Sequence, residues 1–181
     1  STHRGEELIS IKTHKILKRE YNNLLSVIIP RHVERSNELV EMINQHNLNV
    51  HCHSWKTEIP KKTDIYLVDT YGETEKFFNL IKIVFVGGSF VNHGGQNPLE
   101  PVRHGCFVLY GPYVNNFKNI YNYLDKIKLS QKVSNTRNLN KKIKILFKNK
   151  SKSKAVVRKV KKFGNEILIS TIKEIEKELN Q

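Results

Sequence analysis

Residues 84–112, VFVGGSFVNHGGQNPLEPVRHGCFVLYGP, decide how the chain folds. An apolar run ends in Gly87-Gly88, a second pair Gly94-Gly95 precedes Asn97-Pro98-Leu99-Glu100, and another apolar run, 106–109, leads to Gly111-Pro112. The order reads strand, loop, helix, strand. Glycines at the end of a buried strand let backbone N–H groups approach a ligand closely, and the helix that follows turns its positive end toward an anion. Asn97 suits the N-cap, Pro98 the first helical position, and Glu100 the third residue after the cap, where its carboxylate closes a capping box. The same carboxylate can instead face a ligand hydroxyl pair such as a ribose, because it accepts two hydrogen bonds at once.

The alternation continues upstream. Residues 5–20 have helix-forming composition, with Leu8, Ile9, Ile16 and Leu17 spaced to share a face. Residues 24–29, LLSVII, are a short apolar run stopped by Pro30, as in a buried parallel strand. Leu39, Val40 and Ile43 mark a helix, 48–53 a second strand, 65–68 a third, and 73–80 a short helix. Downstream, 115–124 reads as a helix with Phe117, Ile120, Tyr121 and Leu124 on one side. Strands alternating with helices predict an α/β domain on a doubly wound parallel sheet, whose ligands bind outside the carboxyl ends of the strands. Three loops at such ends carry charge and glycine where a plain connection needs neither: Pro30-Arg31-His32, Tyr71-Gly72-Glu73, and 87–100. The planar fork of Arg31 suits a phosphate or a base edge as well as a surface ion pair. Gly88 and Ser89 are candidate phosphate or sugar contacts, although glycine pairs also make plain turns.

Length and composition bound the reading. With 181 residues and 38% hydrophobic side chains the chain can supply an ordinary core for one domain. It contains no apolar run of about eighteen residues, and the opening STHRGEELIS lacks the apolar core of a signal peptide, so a soluble or peripheral, cytoplasmic protein is expected. Two cysteines, Cys52 and Cys106, fit a reducing compartment. In His51-Cys52-His53, strand alternation sends the histidines to one face and the cysteine to the other, so neither metal nor other cofactor is expected. His93 and His104 are expected to be structural or supporting. The net charge of +14 is segmental: residues 126–165 hold fifteen Lys or Arg and no Asp or Glu. That segment carries two aromatic residues, Phe147 and Phe163, too few for the interleaving a single-strand binder uses. A solvated face or an anionic membrane surface is the expected partner of these lysines, and no specific nucleic acid is. The chain divides into residues 1–125, the ligand-binding part, and a basic, mainly helical region, 126–181, that ends in an apolar stripe of Leu168, Ile172, Ile175 and Leu179.

The motifs STHRGEE at 1–7, IIPRHVER at 28–35, DTYGE at 69–73, FVGGSFVNHGGQNPLEP at 85–101 and GPYVNNFKNI at 111–120 resemble, in order and spacing, the C-terminal half of the 3-deoxy-D-manno-octulosonic acid (Kdo) transferases. The resemblance covers residues 1 to about 125. It implies one Rossmann-like domain of a GT-B glycosyltransferase, inverting and metal-independent, that transfers Kdo from CMP-Kdo to a lipid A precursor in lipopolysaccharide synthesis. The implied location is peripheral, at the cytoplasmic face of the inner membrane. Pro30 and Arg31, then Tyr71, Gly72 and Glu73, then Asn97, Pro98, Leu99 and Glu100 match the family's CMP-site elements; Gly88 and Ser89 are softer candidates. Gln96 stands where the family usually has His, and Tyr71 where Met is common. The family's general base, a Glu, and its acceptor surface belong to an N-terminal domain, so no catalytic residue is expected here and the chain alone is expected to be inactive. Two other readings are a nucleotide-sugar-binding fragment without turnover and a basic nucleic-acid-binding protein.

Overall fold

The structure, a computed structural model, describes residues 1–148. It alternates strand and helix as the periodicity predicts. Helix α1 (Glu6–Lys18) buries Ile11 and Leu17, and carries Glu6 and Glu7 in its first turn and Lys15 and Lys18 in its last, each sign favoured by the helix dipole. Then come β1 (Ser26–Ile28), α2 (Ser36–Gln45), β2 (Val50–Cys52) and β3 (Ile65–Leu67). Next are α3 (Thr74–Leu80), β4 (Ile83–Val86), α4 (Leu99–Arg103) and β5 (Phe107–Tyr110), followed by α5 (Lys118–Lys126), β6 (Ser130–Lys132) and α6 (Thr136–Lys148).

Among the described residues every strand pairing is parallel. The strands form two three-stranded sheets, ordered β1-β3-β2 and β4-β5-β6, where the sequence pattern predicts one continuous sheet. The central strands β3 and β5 are the most apolar and most buried, because helices cover both faces of a parallel sheet. Ile65, Leu67, Val108 and Leu109 are fully buried, each contributing about 1.5–3 kcal/mol of apolar transfer. One core gathers Ile11, Ile28, Leu39, Ile43 and Ile65 around the first sheet; another gathers Val86, Val102, Val108, Tyr121 and Leu124 around the second.

Two local expectations meet detail here. His51 and His53 both contact Tyr66, His51 stacked on its ring at 5.7 Å and His53 Nδ1 at 2.8 Å from its hydroxyl, while Cys52 joins the core beneath α2. The region after residue 125, expected to be mainly helical, first adds strand β6 beside β5. Tyr110 at the end of β5 donates to Asp125 Oδ2 at 2.5 Å, and Ser130 at the start of β6 donates to the other oxygen, so the sheet continues past residue 125. The apolar stripe at 168–179 lies outside the described residues.

Candidate functional site

The three loops singled out by sequence follow β1, β3 and β4, at the carboxyl ends of parallel strands. A cavity of about 300 Å³ opens between the ends of β1 and β4, and Ser1, Thr2, Arg31, Gln96, Asn97 and Glu100 are among its lining residues. Arg31 comes from the first sheet, and Asn97 and Glu100 from the loop and helix that follow the second, so the site straddles the junction between them.

Asn97 performs its expected local task, its Oδ1 accepting the Leu99 N–H at 3.0 Å as α4 begins. Glu100 does not close the capping box. Among the described residues neither its carboxylate nor the Arg31 guanidinium makes a hydrogen bond or ion pair, and both are exposed. Pro30 is buried and forms a parallel bridge with Thr2, which fixes the backbone that carries Arg31. Pro98 is buried at the start of α4, and Leu99 is half-buried.

The Tyr71-Gly72-Glu73 loop sits beside this cavity; its neighbour Thr74 lines it. Tyr71 is 63% exposed and donates to Glu34 Oε1 at 2.7 Å, a bond that raises the phenol pKa and lowers that of the carboxyl. Gly72 has φ +80° with open space beside it, and Glu73 pairs with Lys76 at 2.8 Å, which holds its carboxyl below the usual range.

The turn after β4 is built differently from the other two. Glu6, fully buried, reaches from the start of α1 into this turn and accepts four backbone N–H groups: Gly88 at 2.7 Å and His3 at 2.9 Å on Oε2, Ser89 at 3.0 Å and Phe90 at 2.9 Å on Oε1. The amides of Gly88 and Ser89, candidates for a phosphate, are thus engaged by a carboxylate of the protein itself. Ser89 is fully buried, donating to Val86 O at 2.5 Å and accepting from Gly111 N–H at 2.9 Å. Gly87 must be glycine: a Cβ there would lie 1.7 Å from the Ser1 carbonyl oxygen. Glu7 beside it accepts from Thr2 Oγ1 and from Arg35 Nη1, both at 3.1 Å, anchoring the opening residues a second time.

Gln96 occupies the cavity wall with its Nε2 3.0 Å from His3 Nε2, and the His3 ring stacks on His93 at 4.2 Å. Burial, then the His93 charge, lowers the His3 pKa, so this ring is neutral near pH 7 and serves as a hydrogen-bonding surface. Sequence reasoning assigned no role to Glu6, Glu7 or His3. Two acids in the first turn of a helix look like ordinary dipole complements, and nothing local distinguishes a carboxylate that will be buried from one that stays in water.

No family model matches this chain. It is 36% identical over 137 residues to a 3-deoxy-D-manno-octulosonic acid transferase of Haemophilus influenzae, covering 75% of this chain and 32% of that protein. It is 34% identical over 128 residues to one from Aquifex aeolicus, covering 70% of this chain and 34% of that protein. Among solved structures it matches the C-terminal CMP-Kdo binding domain of WaaA from Acinetobacter baumannii, with a TM-score of 0.82 and 26% identity, covering 90% of this chain and 84% of that one. The chain belongs to the Kdo transferase family.

It corresponds to the C-terminal half, and the fold is the Rossmann-like domain of a GT-B glycosyltransferase. The chain spans about one third of the length of the curated Kdo transferases it matches. In this Kdo transferase domain the Pro-Arg and Asn-Pro-Leu-Glu elements meet at one cavity, while the Gly-Gly-Ser turn between them is tied inward to Glu6.

Proposed function

We propose that this chain is the donor-binding half of a glycosyltransferase that moves Kdo from CMP-Kdo to a lipid A precursor in lipopolysaccharide biosynthesis. The observation that carries this reading is the pair of unclaimed charges, Arg31 and Glu100, lining one cavity at the carboxyl ends of β1 and β4. The Glu100 carboxylate is suited to accept both ribose hydroxyls of the cytidine. The Arg31 guanidinium is suited to the phosphate, since a charge-assisted fork is strong and the Gly88 and Ser89 amides already donate to Glu6. The CMP-Kdo binding recorded for the Acinetobacter domain supports the choice of nucleotide.

In the transfer itself an acceptor hydroxyl of the lipid A precursor attacks the anomeric carbon of Kdo as the bond to the CMP phosphate oxygen breaks. The departing phosphate gains negative charge, which Arg31 stabilises, and the hydroxyl proton goes to a carboxylate of the N-terminal domain. Residues 1–125 hold the nucleotide in this reading, and Ser130–Lys132 of the basic region complete the second sheet. The chain alone binds donor without turnover. Lys141, Lys142 and Lys148 of α6 contribute a basic surface toward anionic lipid, consistent with a peripheral place at the cytoplasmic face of the inner membrane. Among the described residues no helix is long and apolar enough to cross a membrane.

Titration calorimetry with CMP tests the site. Binding is expected, weakened about 10- to 100-fold by Glu100→Ala and by Arg31→Ala, as for the loss of one charged hydrogen-bonding partner. Absence of CMP binding, or binding indifferent to both substitutions, overturns the assignment.

A further inference from the structure

Outside the elements matched to the CMP site, histidines from distant parts of the chain meet at the carboxyl ends of β1 and β4. His3 precedes α1, His32 follows β1, and His93 lies in the loop after β4. The His3 ring is stacked on His93, with centroids 4.2 Å apart and planes 19° from parallel, and it meets His32 edge-on at 6.4 Å. The cluster adjoins the 300 Å³ cavity along one side, because Gln96 lines the cavity and touches His3, while Arg31 lines it and is followed by His32.

The backbone holds these rings in place. The loop that carries His93 folds back on the turn after β4: Gly95 N–H donates to the Gly88 carbonyl at 2.9 Å and Gln96 N–H to the Gly87 carbonyl at 3.1 Å. Asn116 clamps the loop from the other side, its Nδ2 donating to the His93 carbonyl at 3.2 Å. At Gly88 a Cβ would lie 3.4 Å from the His3 ring and 3.5 Å from the His93 Cβ, so both side chains sit directly over the turn. On the β1 side, Thr2 N–H donates to the Ile29 carbonyl and Arg31 N–H to the Thr2 carbonyl, both at 2.9 Å, which fixes the chain leading into His32 beside that leading into His3.

Gln96 Nε2 donates to His3 Nε2, so the proton of the His3 ring is on Nδ1. The His32 and His93 rings are exposed, and among the described residues their nitrogens make no hydrogen bond or ion pair. Stacked rings do not converge their nitrogens on one point, and among the described residues no group of His, Cys, Asp and Glu could hold a metal ion. What the cluster presents is a set of N–H donors beside a guanidinium, which suits an anion.

We infer that His32 and His93, with His3 stacked behind His93, bind the carboxylate of the donor's sugar and make this domain selective for an acidic sugar. The inference rests on the donor-site reading above. A cavity of about 300 Å³ is at the lower end for ligand pockets, so it takes the nucleotide and leaves the sugar outside. In CMP-Kdo the anomeric carbon carries both the phosphate oxygen and the carboxylate, which sets two anionic groups side by side. With the phosphate at Arg31, the carboxylate falls over the neighbouring surface, where His32 is the next residue of the chain. Arg31 is then engaged by the phosphate, and the Gly88 and Ser89 amides already donate to Glu6, so the imidazoles supply the donors that those groups do not. Each carboxylate oxygen can accept one imidazole N–H, and a protonated ring makes that bond charge-assisted. The His3 pKa is lowered by burial and then by His93, so His3 stays neutral and backs a protonated His93 without repelling it.

Calorimetry on the 181-residue chain compares CMP with freshly prepared CMP-Kdo, and the ratio of the two affinities is the readout. The wild type is expected to hold CMP-Kdo about tenfold or more tighter, as for charged hydrogen bonds gained by the carboxylate. In the variant His32→Ala/His93→Ala the ratio is expected to fall to within about threefold of unity. Both side chains are exposed on loops, and a Tm within about 2 °C of the wild type shows that the variant is folded. Nuclear magnetic resonance of the imidazole protons gives a reading that needs no variant: CMP-Kdo, but not CMP, is expected to shift the His32 and His93 signals. The inference is overturned if CMP-Kdo binds no tighter than CMP. It is equally overturned if the variant weakens both ligands alike, or if CMP alone moves the imidazole signals as far, because the histidines then serve the phosphate or the fold. In each of these cases CMP binding that depends on Glu100 leaves the donor site standing. If CMP itself does not bind, the donor-site reading fails and this inference fails with it.

Discussion

The turn after β4 and the loop after β3 look alike in sequence, each setting glycine beside polar or charged residues at a strand end, and the structure uses them in opposite ways. The β4 turn is buried and faces inward, its amides gathered by the carboxylate of Glu6. The β3 loop is open, with Tyr71 and Gly72 exposed and the Tyr71 and Glu73 side chains paired with Glu34 and Lys76. A glycine-rich turn offers a nest of N–H groups to an anion, but that anion can belong to the protein itself. Which turn remains available to a ligand therefore depends on a residue more than eighty positions away.

The difference is tested most severely at Glu6. Glu6→Ala leaves the four N–H groups it binds without an acceptor in a site closed to bulk water, and each unsatisfied group costs about 1–3 kcal/mol. With partial relaxation we expect a loss of about 4 kcal/mol, read as a Tm lower by roughly 10 °C. Glu6→Gln keeps one acceptor oxygen and is expected to lose about half as much. A melting curve for Glu6→Ala that overlays the wild type would mean the carboxylate is not what holds the turn. Gly87→Ala is the next largest. The added methyl collides with the backbone of Ser1 and Thr2, and overpacking of this kind costs about 1–3 kcal/mol. A Tm lower by several degrees is expected, with exchange of the Thr2 and Arg31 amides accelerated, since their shared ladder rung must shift.

Much of this architecture was legible because the signals were local. The apolar run before Pro30, the run at 65–68 and the strand-loop-helix-strand of 84–112 are period and punctuation, and β1, β3, β4, α4 and β5 follow them. The division into two sheets was not, since strand pairing is a long-range property and the run at 24–29 carries no mark of its neighbour. β6 was missed because Ser130-Gln131-Lys132 is polar, as an edge strand can be. At the site, Arg31, Asn97 and Glu100 were placed by strand-end logic and by the family's motifs. The sequence left Glu100 with two roles, cap or ligand contact. Its carboxylate makes no capping hydrogen bond among the described residues, and Asn97 does the capping. Glu6 was invisible to the same reasoning because burial is decided by what packs over a helix end, which the helix's own composition does not reveal.

A smaller effect separates the buried side of this comparison by pH. Burial lowers the pKa of His14, with Asp64 opposing, and burial and then His93 lower that of His3. The unfolded chain takes up protons on both near pH 6.5 while the folded chain resists, so stability is full above about pH 6.5 and falls as the pH drops below it. Glu38, held down by its bond to Arg35, acts in a lower window: its contribution is present above about pH 4.5 and is lost as the pH falls through its folded value. Tm measured from pH 7.5 to 5.5 should therefore decline, and His14→Gln should flatten that slope whatever it does to the absolute Tm. A wild-type Tm that is constant across this range would contradict the assignment of a neutral, buried His14 and a neutral, half-buried His3.

The smallest effect belongs to the open loop, and its smallness is the point. Tyr71→Phe removes an exposed hydroxyl bonded to Glu34, also exposed, and contacts between such solvent-screened groups contribute little to stability. Tm should move by roughly 2 °C or less. If the ring lies against bound nucleotide, the hydroxyl is dispensable and CMP affinity should stay within about threefold, whereas Tyr71→Ala should weaken it further by removing the aromatic face. Should Tyr71→Phe instead destabilise the fold as Glu6→Ala is expected to, the β3 loop would be a second locked turn. The contrast between a turn claimed by the protein and a loop left for a ligand would then fail.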